Sequence, residues 1–127
     1  LICPTERESR IALATQDEGI EWVANTLLKK TNSRNLVMKL GREGFIAYES
    51  ETDGFVNRQH FPAISINPVD VSGAGDSLLA ALSVGLCSGA TLMQSSAIGA
   101  GMASLAVQQI GNIPVSNQQL KNYISQI

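Results

Sequence analysis

Asp70-Val71-Ser72-Gly73-Ala74-Gly75-Asp76, followed at once by Ser77-Leu78-Leu79-Ala80-Ala81-Leu82, is the stretch from which the rest of the chain is read. Two carboxylates bracket a run of small residues, and helix-forming residues begin where that run ends. Gly73, Ala74 and Gly75 put little side-chain bulk over the backbone, so successive N–H groups can converge on one point. A helix starting near Gly75 adds its own unpaired N–H groups and the positive end of its dipole. The result is a concavity suited to phosphate. Asp76, in the first turn, lies beside such an anion. A carboxylate there is a poor phosphate ligand but a fitting general base for a hydroxyl that attacks phosphorus. The pattern points to phosphoryl transfer. The same residues also fit an ordinary strand-to-helix turn, with glycine for backbone freedom and Asp70 or Asp76 as a cap.

Two other nucleotide motifs are excluded on inspection. A Walker A loop needs Gly-Lys-Ser/Thr, and no lysine follows Gly75; a dinucleotide fingerprint needs a third glycine where Leu78 stands. With Ala80-Ala81-Leu82 behind it, the Asp70–Asp76 run instead resembles the C-terminal signature of the PfkB, or ribokinase-like, carbohydrate kinases. The resemblance implies an α/β fold, a three-layer α/β/α sandwich, with residues 1–127 a single domain forming its C-terminal, nucleotide and catalytic-base portion. It implies Asp76 as catalytic base and the Gly73, Ala74 and Gly75 amides as the anion hole. Members of that family are considerably longer, and their N-terminal half supplies most sugar contacts and a β-stranded lid. The beginning at Leu1-Ile2-Cys3 reads accordingly as a strand entered midway, and this portion alone is expected to be inactive.

Composition sets the bounds. An apolar content of 44% with 16% charged residues describes a globular chain long enough to bury a core. A net charge of −2 offers no general attraction to nucleic acid or anionic lipid. Gln94, Ser95 and Ser96 interrupt the most apolar region, so no membrane span is expected. Cys3 and Cys87 have no metal-ligand spacing and each lies in an apolar run, which reads as two buried free thiols in a reducing cytosol.

Taken in order, Thr5 and Glu8 fit a capping box for a first helix. The family carries Asn-x-x-Glu here, so the resemblance also implies that Glu8 orders magnesium through water, with Thr5 in place of the Asn. Asp17 is placed as the cap of a second helix, Glu18 to about Lys30, with Ile20, Val23, Ala24, Leu27 and Leu28 on its apolar face. Asn35–Leu40 reads as a buried parallel strand, Gly41–Gly44 as a turn and Phe45–Glu49 as a strand. A two-glycine hairpin accounts for that turn by itself. The family's Thr/Ser-x-Gly-x-x-Gly at this place implies that Gly41 and Gly44 line the triphosphate, with Lys39 meeting a phosphate as a point charge where a hydroxyl is usual. Glu51–Gly54 is a second turn, and Phe55–Phe61 a strand with polar residues exposed. His60, the lone histidine, reads as a surface residue.

The helix from Gly75 to about Ser88 is apolar nearly all round and is expected to be buried. Thr91 opens a longer helix reaching Ile110, rich in small residues. Close helix packing explains these, and the resemblance adds room for an adenine beside Ala100. Ser116 caps a terminal amphipathic helix. By position, the resemblance places Asp70, Ser72, Gln109 and Gly111 near a monovalent cation such as K⁺. Gln109-Ile110-Gly111 with Pro114-Val115-Ser116 also resembles heptose-phosphate kinases of the family. The implied cofactors are ATP and Mg²⁺, and the implied partners a nucleotide and a sugar acceptor, with a homodimer left open for the full-length enzyme. A nucleotide-binding module without catalysis, or a kinase of a non-sugar alcohol, remains the alternative at this point.

Overall fold

The computed structural model describes residues 1–64, 71–111 and 113–126. They form two compact units, Leu1–Phe61 and Pro62–Ile127.

The first unit is built on one amphipathic helix and a small sheet. Helix α1 (Glu6–Ala12) opens on Thr5, whose hydroxyl accepts from the Glu8 N–H while the Glu8 carboxylate accepts from the Thr5 N–H, the capping box read from sequence. Helix α2 spans Ile20–Thr31. Its N-cap is Gly19 rather than Asp17, because Gly19 already has the extended backbone (φ −64°, ψ 151°) at which helical bonds begin. Asn32 closes it in the left-handed region. The apolar face is the expected one: Val23, Ala24, Leu27 and Leu28 pack with Leu36, Met38, Ile46 and Tyr48 as the core. Trp22 stands off it, half exposed.

The sheet has order β1 (Asn35–Lys39), β2 (Phe45–Ser50) and β3 (Val56–Phe61), both pairs antiparallel. Strand β1 was expected to be parallel. It is so only toward Ile2 and Thr5, through isolated bridges to Leu36 and Lys39; its ladder with β2 is a hairpin, since only five residues, 40–44, join them. The expected polar exposure of β3 is present, with Asn57–His60 exposed and Phe61 buried and stacked on Phe45. Buried Tyr48 donates from its hydroxyl to Glu21 at 3.2 Å, and Arg58 pairs with the same carboxylate at 2.6 Å, tying α2 to β2 and β3. Burial, then the neighbouring Glu21 charge, push the Tyr48 hydroxyl pKa up.

The second unit holds helices α3 (Ala74–Cys87), α4 (Leu92–Ala106) and α5 (Asn117–Ile124). Thr91 with Gln94, and Ser116 with Gln119, form capping boxes on α4 and α5. Two expectations are corrected. Helix α3 buries Leu78 and Leu82 but exposes Leu79 and Val84, so it is covered on one face and not all round. Helix α4 stops at Ala106, four residues short of Ile110, with Val107 as C-cap. Cys87, at the end of α3, is exposed, and Cys3 is half buried; both are free thiols. No helix among the described residues is long and apolar enough to cross a membrane.

Helices α3 and α4 approach at glycine. A β-carbon on Gly85 would lie 2.4 Å from Ser95 Oγ, 2.9 Å from Ser95 Cβ and 3.4 Å from its Cα. On Gly99 it would meet Leu78 Cδ1 at 2.6 Å, the tip of a side chain that can turn away. Helix propensity favours alanine over glycine by about 0.8–1 kcal/mol, while forced overpacking costs about 1–3 kcal/mol. Gly85→Ala is therefore expected to destabilise by about 1–2 kcal/mol and Gly99→Ala to be near neutral. Urea unfolding of the two variants checks the ordering.

Candidate functional site

In the second unit the decisive feature is the entry to α3. Gly73 is the N-cap with φ +76° and ψ −4°, a left-handed backbone that a residue with a β-carbon adopts only at a cost. The reversal of hand there turns the chain into the helix at Ala74, one residue ahead of the position read from sequence. The Ala74 N–H leans on the Val71 carbonyl at 3.4 Å, and the Ser77 N–H bonds the Gly73 carbonyl at 2.9 Å. Between them, the Gly75 and Asp76 N–H groups have no acceptor among the described residues. These are the second and third donors of a 14-residue helix, where main-chain donors and the positive dipole end favour an anion. Asp76 sits in the same turn, exposed, with no ion pair among the described residues. The structure thus brings Gly73, Ala74, Gly75 and Asp76 into one turn.

The other residues read for this unit are less informative. Ala100 is buried in α4, 8% exposed. Gln109 and Gly111 follow the α4 C-cap, Gly111 with φ +84° and its carbonyl accepting from the Ile113 N–H at 3.0 Å. Ser72 precedes the Gly73 cap, and Asp70 lies outside the described residues.

In the first unit, Glu8, Thr5, Lys39, Gly41 and Gly44 gather at the end of β1. The Lys39 N–H bonds the Pro4 carbonyl at 2.8 Å, next to the bridge between Lys39 and Thr5. The Glu8 carboxylate accepts from the Thr5 N–H at 2.6 Å. That backbone bond, with the Thr5 hydroxyl and the Lys39 charge assisting, lowers the Glu8 pKa below its ordinary 4.5. An exposed carboxylate held ionised in this way fits magnesium bound through water, a cation that keeps much of its hydration shell. Past Lys39 the chain makes a 3-10 turn over Gly41–Glu43. Leu40 (φ −116°) and Gly41 (φ +62°) alternate in sign, the backbone pattern of an anion-binding nest. The Gly41 and Arg42 N–H groups have no acceptor among the described residues, and a β-carbon on Gly41 would meet nothing within 4 Å. Two residues here escaped the sequence reading. Arg42 is exposed on the turn, and His60 Nε2 reaches the Glu43 carbonyl at 2.7 Å. A basic residue between two glycines was the available signal for Arg42; none existed for His60, which is seventeen residues away in sequence.

Comparison with known proteins gives concordant matches. The family model described as pfkB family carbohydrate kinase matches residues 1–119. Among curated proteins, the chain is 25% identical over 128 residues to the bifunctional protein HldE of Pelobacter propionicus, covering 98% of this chain and 25% of that protein. It is 32% identical over 111 residues to HldE of Geotalea uraniireducens, covering 87% and 22%. Among solved structures it matches phosphofructokinase-2 from Escherichia coli in complex with potassium (TM-score 0.82, 19% identity, 98% of this chain and 40% of that one). It also matches Arabidopsis thaliana ribokinase complexed with ribose and ATP (TM-score 0.78, 24% identity, 97% and 40%). The fold is therefore ribokinase-like α/β, as the sequence reading expected. The chain spans about a quarter of the length of these curated relatives.

The Glu8 interaction has a pH signature. A carboxylate whose folded pKa is depressed adds stability above its unfolded pKa and loses it as pH falls through the folded value. Glu8→Gln should therefore destabilise at neutral pH, with the difference from wild type shrinking to nothing below the ordinary carboxylate range of about 4.3–4.5. Denaturant unfolding at stepped pH measures this; a difference that persists in acid assigns the effect to packing instead.

Proposed function

The chain belongs to the pfkB family of carbohydrate kinases, and from that membership we propose that it carries the nucleotide-side and catalytic-base portion of an ATP-dependent kinase acting on a sugar or sugar-phosphate hydroxyl. The observation that carries this reading is the turn at the head of α3, where an exposed carboxylate stands beside main-chain donors without internal acceptors. Asp76 takes the proton of the acceptor hydroxyl as oxygen attacks the terminal phosphorus of ATP. The bond to the leaving ADP oxygen then breaks. The N–H groups of the Gly73–Gly75 segment and of Asp76 hold the charge on the transferring phosphoryl.

Lys39, Gly41 and Gly44 take the nucleotide phosphates in this reading. A lysine where the family has a hydroxyl exchanges one directional hydrogen bond for a point charge, which keeps attraction to phosphate while loosening geometry. Glu8 is the water-mediated magnesium residue, and the ion's chemistry is to neutralise phosphate oxygens. Ala100 is assigned to the adenine side. The K⁺ assignment to Asp70, Ser72, Gln109 and Gly111 is supported by the potassium complex of the phosphofructokinase-2 neighbour. The recurring HldE relatives support the heptose-phosphate subgroup that Gln109–Ser116 resembles.

Lys39 and Thr5 also fit a nucleotide binder without catalysis. Asp76 weighs against that reading, because a negative charge beside an anion site costs a pure binder affinity. Replacing Asp76 by Asn in the full-length polypeptide is expected to lower kcat by about 10²–10⁴. ATP affinity by calorimetry should hold or improve, since a charge facing the phosphates is removed. Turnover equal to wild type would remove Asp76 as the base.

A further inference from the structure

The Gly41–Glu43 turn is closed at its base by the Leu40 N–H on the Gly44 carbonyl at 2.8 Å, but the bonds inside it are long. The Glu43 N–H reaches the Leu40 carbonyl at 3.3 Å and the Gly44 N–H reaches the Gly41 carbonyl at 3.2 Å, both at the long end for a hydrogen bond. All three residues are exposed, so packing adds little. Gly44 has φ +88° and ψ −127°, a region open essentially to glycine, so within the turn the peptide joining Glu43 to Gly44 is fixed only by the long bond of its N–H to the Gly41 carbonyl. A neighbouring strand holds it. His60 faces Ile46 across the β2–β3 ladder, and its Nε2 lies 2.7 Å from the Glu43 carbonyl oxygen. A carbonyl only accepts, so Nε2 carries the hydrogen. Neutral Nε2–H imidazole and imidazolium both supply that donor.

We propose that His60 is a positioning residue for the nucleotide phosphates: by gripping the Glu43 carbonyl it keeps the 41–44 turn in the form that leaves the Gly41 and Arg42 N–H groups uncommitted beside Lys39. This rests on the reading of that turn as a phosphate loop. His60 touches no substrate, and its effect passes through the orientation of one peptide.

The test is steady-state kinetics on the full-length enzyme with His60→Leu, which keeps bulk on the strand but removes the donor, and His60→Gln, whose amide restores one. Losing one ordinary hydrogen bond to the loop is expected to raise KM for ATP about fivefold. The rise should exceed any fall in kcat, leave KM for the acceptor in place, and be largely reversed by His60→Gln. Lys39→Met serves as the parallel measurement. If Lys39→Met raises KM for ATP and His60→Leu does not, the loop reading stands and the His60 role is overturned. If neither moves it, both fall. A His60→Leu enzyme that loses thermal stability or kcat with KM for ATP unchanged also overturns the proposal, because a merely structural histidine behaves that way.

Discussion

One backbone angle decides where α3 begins. At φ +76° Gly73 sits in a region that costs other L-residues roughly 1–2 kcal/mol, and its missing β-carbon is what lets the chain reverse hand there. The anion site and base proposed at the head of α3 follow from that reversal. It fixes Ala74 as the first helical residue, which makes Gly75 and Asp76 the second and third donors. It also places Asp76 in the same turn as those donors. Shift the start by one residue and the carboxylate moves about 100° around the helix, away from any anion those amides hold.

In the function proposed, the first unit meets negative charge by other means. Its turn offers two uncommitted N–H groups, a lysine and an arginine, with a carboxylate whose ionised state is supported by the Thr5 N–H. The capping box and the magnesium role for Glu8 were opposed as alternatives in the sequence, but the geometry makes them compatible. The cap engages Oε2 through the Thr5 N–H, and the same bond that caps the helix keeps the group charged. A cation approaching through water needs that charge and not a direct ligand position.

Much of this was legible in the residues themselves, and the reason is local. The capping box at Thr5 and the helix starts at Thr91 and Ser116 were legible because a cap depends on residues three apart. The structure completes boxes at the latter two with Gln94 and Gln119. The α2 stripe was legible for the same reason, since one face of a helix repeats at fixed spacing. What escaped depends on distant partners. The exposure of Leu79 and Val84 is set by what surrounds α3 and not by its own composition. Asp17 lost the cap to Gly19 because residues nearer the apolar stripe were already extended. Strand β1 looked parallel because its run of Leu36, Val37 and Met38 is buried throughout, and burial on both faces does not reveal the direction of a neighbour. The His60 contact to Glu43 joins β3 to the 41–43 turn and left no trace in the sequence of either.

The small residues of α3 and α4 bear on the catalytic proposal through packing. Gly85 lies against Ser95 too closely for a β-carbon, Gly99 lies against the Leu78 side chain, which would have to turn aside for one, and Gly101 would crowd Tyr123 of α5 at 3.3 Å. Helix contact thus accounts for the glycines without a ligand, leaving Ala100 as the position the adenine assignment must stand on. The same contact has a further consequence. Ser95 and Ser96 are fully buried with hydroxyl oxygens lacking a partner among the described residues, a cost of about 1–3 kcal/mol each for an unmet polar group. Apolar residues of similar size would avoid that cost, but Ser95 fills the space that Gly85 leaves and anything larger would push the helices apart. A helix clamped this closely along its length has little freedom to tilt, and its first turn is where the proposed base resides. Catalytic groups need placement to within a fraction of an ångström, so the role proposed for Asp76 draws on tight α3–α4 packing at a distant glycine.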